Sequence, residues 1–388
     1  MVYKPIFQIN TRMIKHLGRI EAVKEIIDNL DISFIVEKQL RDDAIIRTTH
    51  YSTKIEGNRL TLEQTKDLLH GKDIIAREID KKEVMNYYNC LEWIYSNSQA
   101  DQKITEKLIK KIHSIVQKGI VGGKLCGQYR EAQNAIYDSN TRKPVYLPPE
   151  AKDVKSLMKF FVNFFNQEKE IHPIIKAGIA HYQLVTIHPF MDGNGRTARA
   201  LATFIMYKEN YDLKKFFSLE DYYSQDLRGY YSALHKCQGN NYYNNKASDI
   251  SPWLDYFIEG VAIIFEDLKQ NVILRSKKSA GKIDMEYIEL LQKLGPREKK
   301  IFSYFSKNYQ LRTRNVANIF KIKDINRLLK EGDTNLVDKI SKWQNDDGKT
   351  INLLSFASKF CHFHNKKHYP IYYSYVVFAL KKLINYKE

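Results

Sequence analysis

The stretch His188-Pro-Phe-Met-Asp192-Gly193-Asn194-Gly195-Arg196-Thr197-Ala-Arg199 decides how the rest of the chain is read. Two glycines around an asparagine form a segment free to take positive φ, which turns successive N–H groups toward one point. Helical spacing restarts around Arg196 and runs to Lys208, so the unpaired N–H groups of a helix start face the same way. That is an anion cradle. Arg196 and Arg199, three apart, share one face of the new helix and can clamp phosphate oxygens. Asp192 is a hard oxygen ligand beside the cradle, where a magnesium ion bridging two phosphates needs one. His188 sits where the preceding helix stops, because Pro189 disfavours helix in its predecessor, and an imidazole is a base near neutral pH. Phe190 is predicted to point into the core and pin the loop. Singly, each feature has a plain reading: a helix end, a turn, a solvated arginine face. Together within twelve residues they point to group transfer from a nucleotide.

Outward from this loop the pattern is helical. Apolar residues recur at three-and-four spacing over 12–46, as in Ile20, Val23, Ile26, Ile27 and Leu30. Thr61 with Gln64 three residues on predicts a capped helix after Arg59. Residues 80–98, 104–118, 151–166, 174–185, 220–238 and 250–275 also read as helices. The stretch Asn134–Pro149 differs, with two short β-prone runs around a polar turn, and predicts a small hairpin. Residues 275–284 read as a boundary. The expected fold class is therefore mainly α with one hairpin. The expected organisation is a helical region over 1–110, a core over 111–275 and a basic C-terminal domain over 285–388.

The 388 residues carry 62 Lys and Arg against 45 Asp and Glu, a net +17. From Gln270 to Glu388 there are 24 basic and 11 acidic residues, so most of the excess lies in the last third. This fits either an anionic partner, such as nucleic acid, or a solvated lysine surface. The 26 Tyr and 19 Phe argue against wholesale disorder. No apolar run approaches the roughly 18 residues of a membrane span, and no leader pattern follows Met1. Cys90, Cys126, Cys237 and Cys361 are scattered, which excludes a disulfide scaffold and suits a reducing, cytoplasmic setting. Near the C-terminus, Cys361, His362, His364 and His368 match no zinc spacing, and a packed aromatic helix end explains them better.

The twelve-residue stretch resembles the signature of the Fic family, His-x-Phe-x-Asp/Glu-Gly-Asn-Gly-Arg-x-x-Arg, with every defined position filled. Gly127-Gln-Tyr-Arg130 and the hairpin after it are similar to the family's lead-in segment and flap. His181-Tyr-Gln-Leu-Val, Tyr230-Tyr231-Ser-Ala-Leu and Ser251-Pro-Trp-Leu are similar to its flanking helices, so the resemblance covers about residues 45–270. It implies a Fic-type helical domain transferring AMP from ATP to a Ser, Thr or Tyr hydroxyl of a target protein. His188 would take the hydroxyl proton, and Asp192 would hold Mg2+. Gly193, Asn194, Gly195, Arg196, Thr197 and Arg199 would bind phosphates. Ile136 and Tyr137 of the hairpin would cover the nucleotide while the hairpin receives the target as an added strand. Tyr230, Tyr231 and Gln238 would line the adenine pocket. Residues 296–388 are loosely similar to the winged-helix modules that follow many Fic domains.

Ser52-Thr-Lys-Ile-Glu56-Gly57-Asn58 resembles the family's inhibitory motif, placed N-terminal to the catalytic one. A Glu56 carboxylate paired with Arg199 would occupy the guanidinium wanted by the γ-phosphate. The plain alternative is a helix end, for which Glu-Gly-Asn is ordinary chemistry. Beside an intact catalytic motif the brake is the expected reading. Two other functions remain open: removal of AMP from a modified protein, with Glu56 orienting a water, and a non-enzymatic nucleotide-sensing DNA-binding regulator. A homodimer is left open as well; a membrane partner is not expected.

Overall fold

The chain enters its first helix at Asn10, whose side-chain oxygen accepts from the Met13 N–H, and α1 spans Thr11–Asn29. Leu30 then leaves helical geometry (φ −75°, ψ 127°), and α2 runs Phe34–Ile55. The continuous helix expected over 12–46 is thus two, because the backbone turns extended at Leu30 although apolar spacing continues past it. Thr61 and Gln64 form the reciprocal capping box that starts α3, Leu62–Leu69. Next come α4 (Glu78–Asn97), α5 (Glu106–Val116), the antiparallel strands β1 (Ile136–Tyr137) and β2 (Pro144–Tyr146), and α6 (Ala151–Gln167). Then follow α7 (Pro173–Ile187) and α8 (Asn194–Lys208). The helix expected over 220–238 is divided at Asp226, giving α9 (Leu219–Gln225) and α10 (Leu227–Gln238). Asp226 stands at φ −126°, ψ 63°, and its carboxylate caps α10 by accepting from the Gly229 N–H. Last come α11 (Tyr242–Asn245) and α12 (Ser251–Gly281). α12 carries helix through most of the stretch expected to be a boundary.

This computed structural model describes residues 4–30, 32, 34–137, 143–245, 248–281, 342–344 and 350–352. Residues 1–284 form one unit and 285–388 another. In the first unit, every α7 residue from Ile174 to Ile187 is buried, as is every α8 residue from Arg196 to Tyr207. Helices buried on every face belong at the centre of a bundle, and these two pack on each other there. The loop between them is the twelve-residue motif, so its geometry is set by the best-packed part of the molecule. α12 crosses α7 closely: a Cβ on Gly178 would lie 2.9 Å from Leu254, and the Trp253 indole donates to the Gly178 carbonyl at 2.8 Å. α1 packs along α12, and α2 packs against α4 and α9. The boundary expected at 110–111 falls inside α5, which packs on both α4 and α8. The N-terminal helices and the later ones therefore share one core.

In the second unit, Lys342–Gln344 and Thr350–Asn352 pair as antiparallel strands. The winged-helix-like arrangement and the Cys361–His368 cluster lie outside the described residues. Among the described residues no helix is long and apolar enough to cross a membrane.

Candidate active site

α7 ends on a residue with a left-handed backbone. His188 takes φ 50°, ψ 57°, with its N–H still bonded to the Leu184 carbonyl at 2.9 Å. A non-glycine residue there is uncommon and persists where its surroundings over-determine it. Those surroundings are on hand. Arg130, 2% exposed, donates from Nε to the His188 carbonyl and from its other nitrogens to the Ala132 and Pro149 carbonyls. The His188 Nδ1 lies 3.2 Å from the Val185 carbonyl. A carbonyl only accepts, so Nδ1 carries the hydrogen and Nε2 keeps its lone pair. Burial pushes the His188 pKa down to about 4, against the Val185 carbonyl, which raises it. The side chain is a neutral base at physiological pH.

Phe190 is fully buried, stacked 3.7 Å from the His113 ring and tilted against Tyr129. The Asn194 amide bonds both backbone groups of Phe190: Oδ1 accepts from its N–H and Nδ2 donates to its carbonyl. His113 continues the frame, since Nδ1 accepts from the Gly127 N–H and Nε2 donates to the Asp192 carbonyl. Gly193 (φ 76°) turns the chain into α8, and a Cβ there would lie 2.0 Å from the buried Gln117 amide. With its carbonyl oxygen facing them, Gln117 accepts from the Gly193 N–H and from Arg196 Nη2 at 3.1 Å each. The first α-helical bond of α8 is Thr197 N–H to Gly193 carbonyl, so the N–H groups of Asn194, Gly195 and Arg196 have no acceptor in their own helix. They are the N–H groups of the expected anion cradle.

Both motif arginines already face carboxylates. Arg199, buried, donates from Nη2 to Glu56 Oε1 at 2.8 Å, and from Nε and Nη2 to the Ser52 hydroxyl and carbonyl. Glu56 sits over the cradle: a Cβ on Gly195 would lie 2.3 Å from its Oε1. Burial opposes ionisation of Glu56, but Arg199 and Arg196 outweigh it and hold the carboxyl below its ordinary value. Arg196 donates from Nη1 to Glu83 Oε1 at 2.9 Å. Among the described residues, Arg196 Nε and Arg199 Nη1 are buried donors without a hydrogen-bond acceptor. Asp192 is more than half exposed. Its Oδ1 accepts from the Gly193 N–H, and its Oδ2 stands 3.8 Å from Arg196.

The hairpin is fixed to this loop and to the last turn of α7. Asn134 Nδ2 donates to the Phe190 carbonyl, and Tyr146 donates to the Thr186 carbonyl. Tyr137, Val145 and Leu147 are exposed on it.

A family model described as Fic/DOC family matches residues 103–206. Residues 103–206 are a Fic domain. A second model, HI_0787_N, described as an N-terminal domain, matches residues 302–368. The chain is 29% identical over 201 residues to a protein named Protein adenylyltransferase Fic from Drosophila erecta, and 32% identical over 178 residues to one of the same name from Drosophila grimshawi. These stretches are 51% and 45% of this chain but only 39% and 35% of those proteins. Among solved structures, a Fic family protein from Desulfovibrio desulfuricans G20 aligns with TM-score 0.61 at 20% identity, over 85% of this chain and 90% of that one. Fic-1 from C. elegans (residues 134–508) aligns with TM-score 0.54 at 26% identity, over 69% and 73%.

Within the Fic fold the motif residues do not all face the start of α8. Gly195 and Arg199 meet Glu56 there, Arg196 meets Glu83 and lies near Asp192, and His188 opens the loop that leads in. Asn194 turns its side chain into the loop, so only its backbone N–H faces the cradle. Thr197 is buried, its hydroxyl spent on the Gly193 carbonyl at 2.7 Å. Tyr230 is buried with its hydroxyl 3.0 Å from His181 Nε2, supporting the core beneath Arg199, while neighbouring Tyr231 is 48% exposed. Gln238 is buried and donates to the Thr186 hydroxyl in the seam between α7 and α10. Ile136 is partly buried in the hairpin. Glu83, Gln117 and His113, which join the site from α4, just after α5 and α5, are absent from the motif and have no local signal.

Proposed function

We propose that this chain transfers AMP from ATP to a hydroxyl of a target protein, and that Glu56 restrains the reaction. The observation that carries this reading is a neutral imidazole at the mouth of an anion cradle whose arginines are buried and face carboxylates. His188 Nε2 accepts the target hydroxyl's proton. The hydroxyl oxygen forms a bond to the α-phosphorus, the bond from that phosphorus to the bridging oxygen breaks, and pyrophosphate leaves. The N–H groups at the start of α8 meet the charge that develops on the phosphoryl oxygens. Arg196 and Arg199 take the β- and γ-phosphates. Arg196 Nε and Arg199 Nη1, buried donors with no acceptor among the described residues, fit a ligand richer in oxygens than the present carboxylates. Mg2+ fits Asp192, a single exposed carboxylate beside the cradle, because magnesium keeps several waters and takes the rest of its ligands from phosphates. When bound it neutralises phosphate charge. The hairpin's exposed Tyr137, Val145 and Leu147 suit an added target strand.

Intact-mass spectrometry tests the proposal. The Glu56→Gly chain incubated with Mg2+, ATP and cell lysate is expected to yield 5′-AMP adducts on itself or on lysate proteins, and Glu56→Gly/His188→Ala none. Equal labelling by both would remove His188 as the base; no adduct with either would remove the transfer reading.

A further inference from the structure

Each motif arginine is met by a carboxylate from the N-terminal helices, and one asparagine joins the two meetings. Gly57 (φ 92°) turns the chain straight after Glu56, and Asn58 follows, 7% exposed. Asn58 Oδ1 accepts from the Leu60 N–H at 3.1 Å. Its Nδ2 donates to the Asp80 carbonyl at 3.0 Å and to Glu83 Oε2 at 2.8 Å. The other oxygen of that carboxylate, Oε1, accepts from Arg196 Nη1 at 2.9 Å. The Arg196 and Glu83 side chains are 3% and 15% exposed, so water screens the bridge weakly. A run of charge-assisted bonds therefore leads from the turn bearing Glu56, through α4, to the helix bearing the arginine that Glu56 engages.

We infer that Glu83 is a positioning residue that latches the inhibitory turn: by holding Asn58 and Arg196 at once it keeps Glu56 over the cradle. The inference rests on Glu56 being the brake. It makes restraint depend on a residue 27 positions away in sequence, on α4, whereas Glu56 stands in the turn after α2. The chemistry requires two acceptors, since both neighbours are donors. A glutamine at 83 has one oxygen and must turn its NH2 toward one of them, so it breaks one link at almost unchanged size.

Two readouts test the latch, each with Glu83→Gln and with Asn58→Ala, which removes the same link from the other side together with the Asn58 bonds to Asp80 and Leu60. In the first, AMP incorporation is measured in the parent and in Glu56→Gly. Either substitution is expected to raise the parental rate roughly tenfold, the equivalent of one charge-assisted hydrogen bond, and to add no rise once Glu56 is gone. A rate that falls equally in both backgrounds would mean that Glu83 serves only to support Arg196, and overturns the latch. In the second, hydrogen exchange is followed. The amides of Gly57, Asn58 and Leu60 are expected to exchange roughly tenfold faster in Glu83→Gln, with those in the middle of α8 unchanged. Unchanged exchange at the turn also overturns the latch. If Glu56→Gly transfers no AMP, the proposed reaction fails, while the exchange measurement still decides the latch.

Discussion

Replacing Glu56 by glycine removes a single carboxylate, and the structure sets the size of the response. Its Oε1 accepts from Arg199 Nη2 at 2.8 Å, with the Arg199 side chain 1% exposed and the Glu56 side chain 28%. A hydrogen bond between charged groups contributes about 1.5–3 kcal/mol, and each 1.36 kcal/mol is tenfold in a rate. An ATP γ-phosphate must displace this bond to reach Arg199. The carboxylate also covers Gly195, where a phosphoryl oxygen would meet the first N–H groups of α8. Glu56→Gly is therefore expected to raise the initial rate of AMP incorporation at sub-saturating Mg-ATP by roughly tenfold to a hundredfold. Glu56→Gln, which keeps the volume and loses the charge, is expected to fall between. Arg199 keeps the Ser52 hydroxyl and carbonyl, so the variant is expected to fold. It carries an uncompensated buried guanidinium, so its melting temperature drops and rises more on adding Mg-ATP than the parent's does. Labelled-ATP incorporation, with initial rates normalised to folded protein, reads the effect. Equal rates for the parent and both variants would refute the brake.

His50, His113 and His188 are each pushed by burial from 6.5 to about 4, and burial holds His181 well below 6.5 as well. The unfolded chain takes up the first three protons near 6.5 and the folded chain near 4, so stability present above pH 6.5 is lost as pH falls toward 4. The melting temperature is expected to fall between pH 7 and pH 5, with roughly 1–2 kcal/mol lost per histidine; a flat profile would contradict the buried neutral rings. By the same shift, the His188 Cε1 resonance is expected to keep its neutral position from pH 7.5 to 5.5. A midpoint near 6.5 would place a solvated imidazole at the site. Asn194→Ala leaves the Phe190 N–H buried without its acceptor, while Asn134 still serves the carbonyl. It is expected to cost about 1–3 kcal/mol in urea unfolding, and an unchanged midpoint would remove Asn194 as the support of the loop.

The motif loop was legible because its chemistry is local. Glycine at positive φ, proline after a helix end and arginines three apart each act through near neighbours, and so does the Thr61 and Gln64 cap. The breaks at Leu30 and Asp226 were hidden because apolar spacing runs on through both, and spacing reports which face is buried without reporting where the backbone turns. The partners of the arginines were legible only in part. Glu56 stands in a motif, whereas Glu83 reaches Arg196 across 113 positions and Gln117 enters from a helix end with no pattern around it. Of the adjacent Tyr230 and Tyr231, one is core and one is surface. A tyrosine pair in an amphipathic helix does not say which is which until α7 and α12 supply His181 and Trp253 as neighbours.

A crystal structure of the Glu56→Gly chain with a non-hydrolysable ATP analogue and Mg2+ tests the central claim most directly. The phosphate chain is expected over Gly193–Gly195, its γ-phosphate on Arg199, the metal on Asp192, and the α-phosphorus open to a hydroxyl within hydrogen-bond reach of His188 Nε2. A phosphate chain bound elsewhere, or lying over the cradle with His188 screened from the α-phosphorus, would contradict it.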